Sequence, residues 1–320
     1  MMRRSPLPAD FSPHDLVALA RAAGDAILQE LSNAETLGIE RKSDDSPFTR
    51  ADQRANDIVL AGLKRLTPDI PVLSEEDPPE HQQWVMQQPT YWCVDPLDGT
   101  RTAVQYSKGF THYDGFGTLI GLVHHGVPVF GVAHYPNNRM TLDDGTPSAP
   151  GITYFTSADG ALAYRQLGDQ AAQPIHTRPC LTSTMRVAEG YGGQRLQALG
   201  GLAVQGSSEV GGSRLIRAAE ASVHAGYTGG SKVASFGFWD VAAPHAILRA
   251  AGGELVTLPS DFAQHQQAGA LKSGEALRYD GRHYAAAMGQ GKPYVPLCVG
   301  AHTDTLRRLG LPVRQAGIER

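Results

Sequence analysis

The sequence predicts a layered α/β sandwich, with helices covering the faces of β-sheets. Two signals carry this reading: strands alternating with helical patterns in βαβ fashion, and an antiparallel hairpin in the first half. A third observation says where the chemistry should sit. Residues 91–100 read Tyr-Trp-Cys-Val-Asp-Pro-Leu-Asp-Gly-Thr, an aromatic and apolar run broken by two turn signals. Asp95 and Asp98 are thereby expected at the carboxyl end of a buried strand, three residues apart on a tight turn. Two carboxylates so placed repel each other unless a cation lies between them. An all-oxygen ligand set favours a hard ion such as Mg²⁺ over zinc or copper. Gly99 and Thr100 follow, and their backbone N–H groups can face an anion if a helix or nest opens there. Metal ligands beside an anion cradle suggest phosphate chemistry, where the alternative is a plain strand-to-helix turn.

Composition bounds the rest. The chain has 320 residues, 41% hydrophobic and 19% charged, which suits a globular protein of one large or two ordinary domains. The Gly/Pro-rich loop at 140–151 is the expected boundary. It separates an N-terminal α+β subdomain, 1–150, from a C-terminal α/β subdomain, 151–320. A net charge of −4 leaves no electrostatic footprint for nucleic acid. Cys93, Cys180 and Cys298 form neither a zinc pattern nor a disulfide framework, which points to a reducing compartment. The basic N-terminus has no apolar core behind it, and no run of about 18 apolar residues occurs. A cytoplasmic protein without a membrane span is expected.

In chain order, residues 13–31 carry apolar positions at helical spacing, and Pro13 is placed to open that helix. A second helical pattern covers 53–66. Thr49 is its candidate cap, with Asp52 in the first turn, where it either compensates the helix dipole or orients a hydroxyl. A short strand before Glu75, Glu76 and Asp77 puts acids at its end, as with Asp95 and Asp98. Strand ends are where ligands gather in open α/β sheets, although an acidic run is more often a solvated surface. Residues 116–130 read as the hairpin, turning at His125 and Gly126. His124, His125 and His134 lack metal spacing and read as surface or core histidines. The second half opens with strands near 152–156, 161–165 and 202–205. A Gly/Ser loop, 206–213, then reads as a connector, and 214–224 as a helix. Asp240 precedes an Ala-rich helix ending at Gly252 and Gly253, which it would cap. Pro244 belongs only in a helix's first turn, so this helix is expected to start at Val241 or later, or to kink. Beyond residue 260 only a helix near 303–309 is legible.

Four segments occur in this order: Ser46-Pro-Phe-Thr-Arg-Ala-Asp52, Leu73-Ser-Glu-Glu76, Asp95-Pro-Leu-Asp-Gly-Thr100 and Trp239-Asp-Val-Ala-Ala243. Together they resemble the inositol monophosphatase superfamily of Mg²⁺-dependent, lithium-sensitive phosphatases. With the segment from Lys42 to Pro47, residues 66–79 are similar to the bacterial 3'(2'),5'-bisphosphate nucleotidases of sulfur metabolism. The resemblance implies an α-β-α-β-α sandwich of the inositol monophosphatase and fructose-1,6-bisphosphatase type, as homodimer or monomer. It also implies hydrolysis of a nucleotide phosphate ester, 3'-phosphoadenosine 5'-phosphate, to AMP and phosphate. Carried over by motif, Glu75, Asp95, Asp98, Asp240 and the Leu97 carbonyl would hold two or three Mg²⁺ ions. Thr100, bonded to Asp52, would orient the attacking water, with Glu75 also in the catalytic set, and the Gly99 and Thr100 N–H groups would meet the phosphate. Lys42, Arg101, Ser213, Arg214 and Lys232 are the expected substrate contacts. Lys232 falls where nucleotidases carry arginine, and a basic residue there suits a second phosphate. The second half departs most from the pattern, so an inositol, histidinol or sugar monophosphatase is the alternative. A non-catalytic metal- or nucleotide-binding homologue is the rival from another class.

Overall fold

The structure, a computed structural model, describes residues 6–8, 10–33, 37–42, 47–110, 115–142, 145–190, 198–199, 202–209, 212–228, 237–258, 276–279 and 298–311. The first helix, α1 (Pro13–Leu31), opens with Pro13 behind Ser12, whose hydroxyl accepts the His14 N–H. A small antiparallel pair, β1 (Glu40–Arg41) and β2 (Pro47–Phe48), precedes α2 (Arg50–Leu66). Thr49 caps α2, and the Asp52 side chain returns the bond by accepting the Thr49 N–H at 2.8 Å. Next, β3 (Val72–Ser74), α3 (Pro79–Val85) and β4 (Thr90–Asp98) make a βαβ unit whose strands pair in parallel. The short α4 (Thr100–Ser107) follows. Gly99 joins it to β4 in a left-handed conformation, φ +83°, that a side chain would strain.

The hairpin forms as expected, with β5 (Gly117–His124) and β6 (Val127–Tyr135) turning at His125 and Gly126. Three more antiparallel strands continue it: β7 (Ile152–Thr156), β8 (Ala163–Leu167) and β9 (Gln173–Ile175). The result is a seven-stranded sheet in the order β3-β4-β5-β6-β7-β8-β9. The boundary expected near 150 falls between β6 and β7 of this sheet, and the change of sheet comes after Ile175. The second sheet collects β10 (Thr184–Gly190), β11 (Ala198–Leu199), β12 (Leu202–Glu209), β13 (Ala225–Thr228), β14 (Gly253–Thr257) and β15 (Cys298–His302). Its order is β11-β12-β10-β13-β15-β14. Three helices accompany it: α5 (Ser213–Ala219), α6 (Phe238–Ala250) and α7 (Thr303–Arg308).

Side-chain alternation sorts these elements into five layers. Along β4, Trp92 and Val94 pack with Leu16, Ile27 and Val59 of α1 and α2, whereas Tyr91 and Cys93 face the cluster of Phe238, Val241 and Ile247 on α6. The first sheet is therefore buried on both faces. Helices α5 and α6 lie between the two sheets, touching β5 and β6 on one side and β13, β14 and β15 on the other. On the far face of the second sheet, Leu306 of α7 and Leu309 just after it pack with Val187, Val256 and Val299. The observed order is the predicted α-β-α-β-α sandwich. No helix among the described residues is long and apolar enough to cross a membrane.

Helix α6 sits unusually close to the first sheet. Gly121 and Gly131 are paired partners on β5 and β6. A Cβ on Gly121 would come within 2.7 Å of the Ala243 nitrogen, and one on Gly131 within 2.5 Å of the Ala243 oxygen. The absence of side chains lets the helix backbone rest directly on the strands.

Five local expectations are corrected. β4 does not end at the Asp-Pro turn: it runs to Asp98 through a register shift between Asp95 and Asp98, where Pro96 has no N–H to give the ladder. The connector 206–213 starts as strand, since β12 extends to Glu209. The helix expected over 214–224 stops at Ala219, because Ala221 turns left-handed with φ +61°. Helix α6 starts at Phe238, so Asp240 is its third residue and Pro244 lies in its interior. The Asp240 carbonyl thereby loses its usual donor. Gly212 closes over both, where a Cβ would lie 2.5 Å from the Asp240 oxygen and 2.8 Å from the Pro244 ring. Finally, the segment beyond 260 supplies β15, inside the second sheet.

His134 is a core histidine with a pH consequence. It is 5% exposed, its Nδ1 lies 2.9 Å from the Thr153 hydroxyl, and its ring fills the space a Gly24 side chain would take. Burial, aided by the nearby Arg21 charge, lowers its pKa from 6.5 to about 3. A depressed histidine pKa stabilises the fold fully above 6.5 and progressively less as pH falls toward 3. Urea titrations should show His134 removing about 1.4 kcal/mol per pH unit across that window. In His134→Gln this share of the slope should vanish; an unchanged slope would count against the assignment.

Candidate active site

Two elements, β4 and α6, bring together one group of acids. Asp95 and Asp98 come from the end of β4 and Asp240 from the first turn of α6, and all three offer oxygens within 4.8 Å of one another. Each carboxylate is anchored by a backbone N–H: Asp95 Oδ1 accepts from Leu97 at 3.0 Å, Asp98 Oδ2 from Gly212 at 2.8 Å, and Asp240 Oδ2 from Gly237 at 2.5 Å. Asp95 Oδ2, by contrast, is buried without any hydrogen-bond partner. An unmatched buried carboxylate oxygen costs several kcal/mol, so its position next to two other carboxylates is the mark of a cation site.

The electrostatics agree. Desolvation first, and then the charges of Glu75, Asp240 and Asp98, push Asp95 well above its usual pKa. Asp240 rises for the same reasons, burial first, then Asp98 and Glu75. Asp98 is raised to about 7 by burial, with the Gly212 N–H and the Arg214 charge holding it back. Carboxylates so raised are poised to give up protons to a hard cation. The donors are all oxygen and closely spaced, so the residues present fit Mg²⁺.

Glu75, Lys42, Thr100 and Asp52 are linked to the surroundings of this triad. Glu75 lies outside the group of three but acts electrostatically on all of it; its Oε1 is held at 2.8 Å by Lys42 Nζ, which also reaches Glu76 Oε1 at 2.8 Å. Burial works against the Lys42 charge, but Glu75 and Glu76 outweigh it and raise the ammonium's pKa. Burial likewise lifts Glu76, to about 7. Thr100, at the start of α4, donates to Asp52 Oδ1 at 2.8 Å and lies 3.1 Å from the Leu97 carbonyl. Asp52 is 1% exposed, and its other oxygen takes both the N–H and the hydroxyl of Thr49. Burial raises Asp52 to about 6 against the pull of the Thr49 and Thr100 bonds. Arg101 is exposed on α4, whereas Ser213 and Arg214 are buried at the start of α5. Lys232 lies outside the described residues.

Sequence reasoning did not single out Gly212. Its N–H binds Asp98 while its bare Cα rests on the Asp240 carbonyl, so it joins two of the three acids. A glycine directly before a helix-forming segment was the available signal.

This arrangement has relatives. A model of the inositol monophosphatase family matches residues 14–286. The chain belongs to that family. Membership makes it a phosphatase, a phosphoric monoester hydrolase. Among curated members, it is 33% identical over 244 residues to the 3'(2'),5'-bisphosphate nucleotidase CysQ of Escherichia coli O157:H7, covering 74% of this chain and 87% of that enzyme. It is 48% identical over 120 residues to CysQ of Salmonella typhimurium, spanning 37% of this chain but less than half, 45%, of that enzyme. A crystal structure of CysQ from Bacteroides thetaiotaomicron, a bacterial member of the inositol monophosphatase family, shares the fold with a TM-score of 0.62 at 21% identity, covering 92% of this chain and 99% of its own.

Proposed function

We propose that this family member is a Mg²⁺-dependent 3'(2'),5'-bisphosphate nucleotidase that converts 3'-phosphoadenosine 5'-phosphate to AMP and phosphate in the cytoplasm. The observation that carries the chemistry is the unpartnered Asp95 Oδ2 inside the carboxylate triad. The similarity to CysQ enzymes supports the substrate class. Glu75, Asp95, Asp98, Asp240 and the Leu97 carbonyl would hold two or three ions. Bound Mg²⁺ would supply a more acidic water and offset charge on the phosphoryl oxygens. Thr100, its proton committed to Asp52, keeps oxygen lone pairs with which to accept a hydrogen bond from that water. Asp52 draws the proton along and is available as its acceptor, and Glu75 shares the catalytic duty. The Gly99 and Thr100 N–H groups would meet the phosphate as its charge rearranges. Lys42, Arg101, Ser213, Arg214 and Lys232 would contact the substrate. On this reading residues 1–150 carry most of the ligands, and 151–320 carry Asp240 and the recognition residues.

Phosphate release from 3'-phosphoadenosine 5'-phosphate and from inositol 1-phosphate, each with Mg²⁺ and with EDTA, tests the proposal. Strong Mg²⁺-dependent release from the nucleotide and little from the inositol ester is expected. Preference for the inositol ester would keep the chemistry and overturn the nucleotidase assignment; activity in EDTA would overturn the metal.

A further inference from the structure

Glu75 stands on a turn that the four motifs do not explain. Its N–H donates to Val94 O at 3.1 Å, which ties the turn to β4. Its carbonyl and that of Ser74 both point at one side chain, Gln82 of α3. Gln82 Nε2 donates to Ser74 O at 3.0 Å and to Glu75 O at 3.2 Å. Two carbonyl acceptors admit only the NH₂ end of the amide, so its orientation is settled by chemistry. Gln82 is 3% exposed and shares the buried side of α3 with Val85, while Trp84 is 51% exposed. A second amide also holds the turn. Asn56 Oδ1 accepts the Ser74 hydroxyl at 2.7 Å, and Ser74 Oγ lies 3.3 Å from the Glu76 N–H. Asn56 is one helical turn beyond Asp52 on α2, so the helix that positions the Thr100 partner also indexes the Glu75 turn.

The choice of amides has a physical reason. This corner already gathers Glu75, Glu76, Asp77 and the triad. A further acid would add repulsion, and a further cation would compete with a metal ion for the carboxylates, as Lys42 already does for Glu75 and Glu76. An amide donates two N–H bonds and brings no charge. We infer that Gln82 is a positioning residue for metal binding: by fixing the two peptide carbonyls on either side of the Glu75 nitrogen and α-carbon, it sets the direction in which the Glu75 carboxylate presents itself. The inference rests on the proposed role of Glu75 as a ligand. Groups that orient a metal ligand typically change affinity 10–100-fold when removed.

The test is Mn²⁺ binding, read by electron paramagnetic resonance and calorimetry without substrate, for the wild type, Glu75→Gln, Gln82→Met and the double variant. Gln82→Met should weaken Mn²⁺ binding by about 10–100-fold, with thermal unfolding recorded alongside. Because Gln82 acts through Glu75, the double variant should bind no more weakly than Glu75→Gln alone. A glutamine that merely stabilises α3 would lower Tm and leave Mn²⁺ affinity unchanged, and that result would overturn the inference. Fully additive losses would do so too. If Glu75→Gln itself leaves affinity intact, the ligand assignment falls instead, and the two failures are thereby distinct. Should Gln82→Met not fold, Gln82→Asn keeps a buried amide but withdraws it by one methylene. Weakened Mn²⁺ binding in that variant supports the inference, and wild-type affinity refutes it.

Discussion

Asp95→Asn should abolish turnover while leaving the fold intact. The substitution is nearly isosteric and keeps an oxygen to accept the Leu97 N–H, so the β4 bulge has no cause to rearrange. What it removes is the charge on a carboxylate whose second oxygen is buried and unpartnered. Metal stabilisation of phosphoryl transfer is worth several kcal/mol, so kcat/KM should fall about 10³-fold or more. The metal-free stability should not fall with it. Asp95, Asp98 and Asp240 all have folded-state pKa values above the ordinary 3.8. For raised carboxylates, the stabilising contribution is present below 3.8 and lost as pH rises through the folded values, about 7 for Asp98. The wild type should therefore gain most in Tm from Mg²⁺ at pH 8 and least at pH 5. In Asp95→Asn that gain should shrink sharply at pH 8, with the Tm in EDTA unchanged or higher. Wild-type turnover by this variant would refute the metal assignment.

Interrupting the Asp52–Thr100 pair should have the next largest effect. Thr100→Val removes the hydroxyl that bonds Asp52 at 2.8 Å and keeps the shape of the side chain. Positioned proton transfer contributes about 10²–10⁴-fold, so kcat should drop by that order with KM little changed. Thr100→Ser retains the hydroxyl and should stay close to wild type. Asp52→Asn should resemble Thr100→Val, since an amide group turned toward Thr49 would meet two donors with a third. The carboxylate form is the one required, and burial sets its pKa at about 6. In the wild type kcat should accordingly decline as pH falls below about 6. Thr100→Val with an unchanged kcat would remove this pair from the mechanism.

Much of this site is legible in the sequence, because the motifs are local. Thr49 and Asp52 lie three residues apart and form their capping box within one turn of α2. Asp95 and Asp98 follow an apolar run that had to be a buried strand, and the carboxyl end of a strand is where such residues meet solvent and ligands. Hairpin signals at His125 and Gly126 are equally local, since turn geometry depends on neighbouring residues. The extent of β4 is not legible in the same way, because a strand can absorb Pro96 through a bulge, which depends on pairing with β5 rather than on β4 itself. The start of α6 escapes for a similar reason. Pro244 disfavours a helix by its own chemistry, yet α6 is wedged between two sheets and against Gly212, and that packing outweighs a lost backbone bond.

By itself, the sequence determined α1, α2, the β5–β6 hairpin, the identities of the acids and the chemistry they suit, because each follows from residue type and short-range spacing. Only the tertiary structure decided which groups meet. The approach of Asp240 to Asp95 and Asp98 depends on α6 lying against Gly121 and Gly131. The anchoring of Asp98 depends on Gly212, 114 residues away. The bracing of Glu75 depends on Asn56 and Gln82, drawn from two different helices. Such contacts are set by how layers pack, and a periodic pattern records which face of an element is apolar without recording what will cover it.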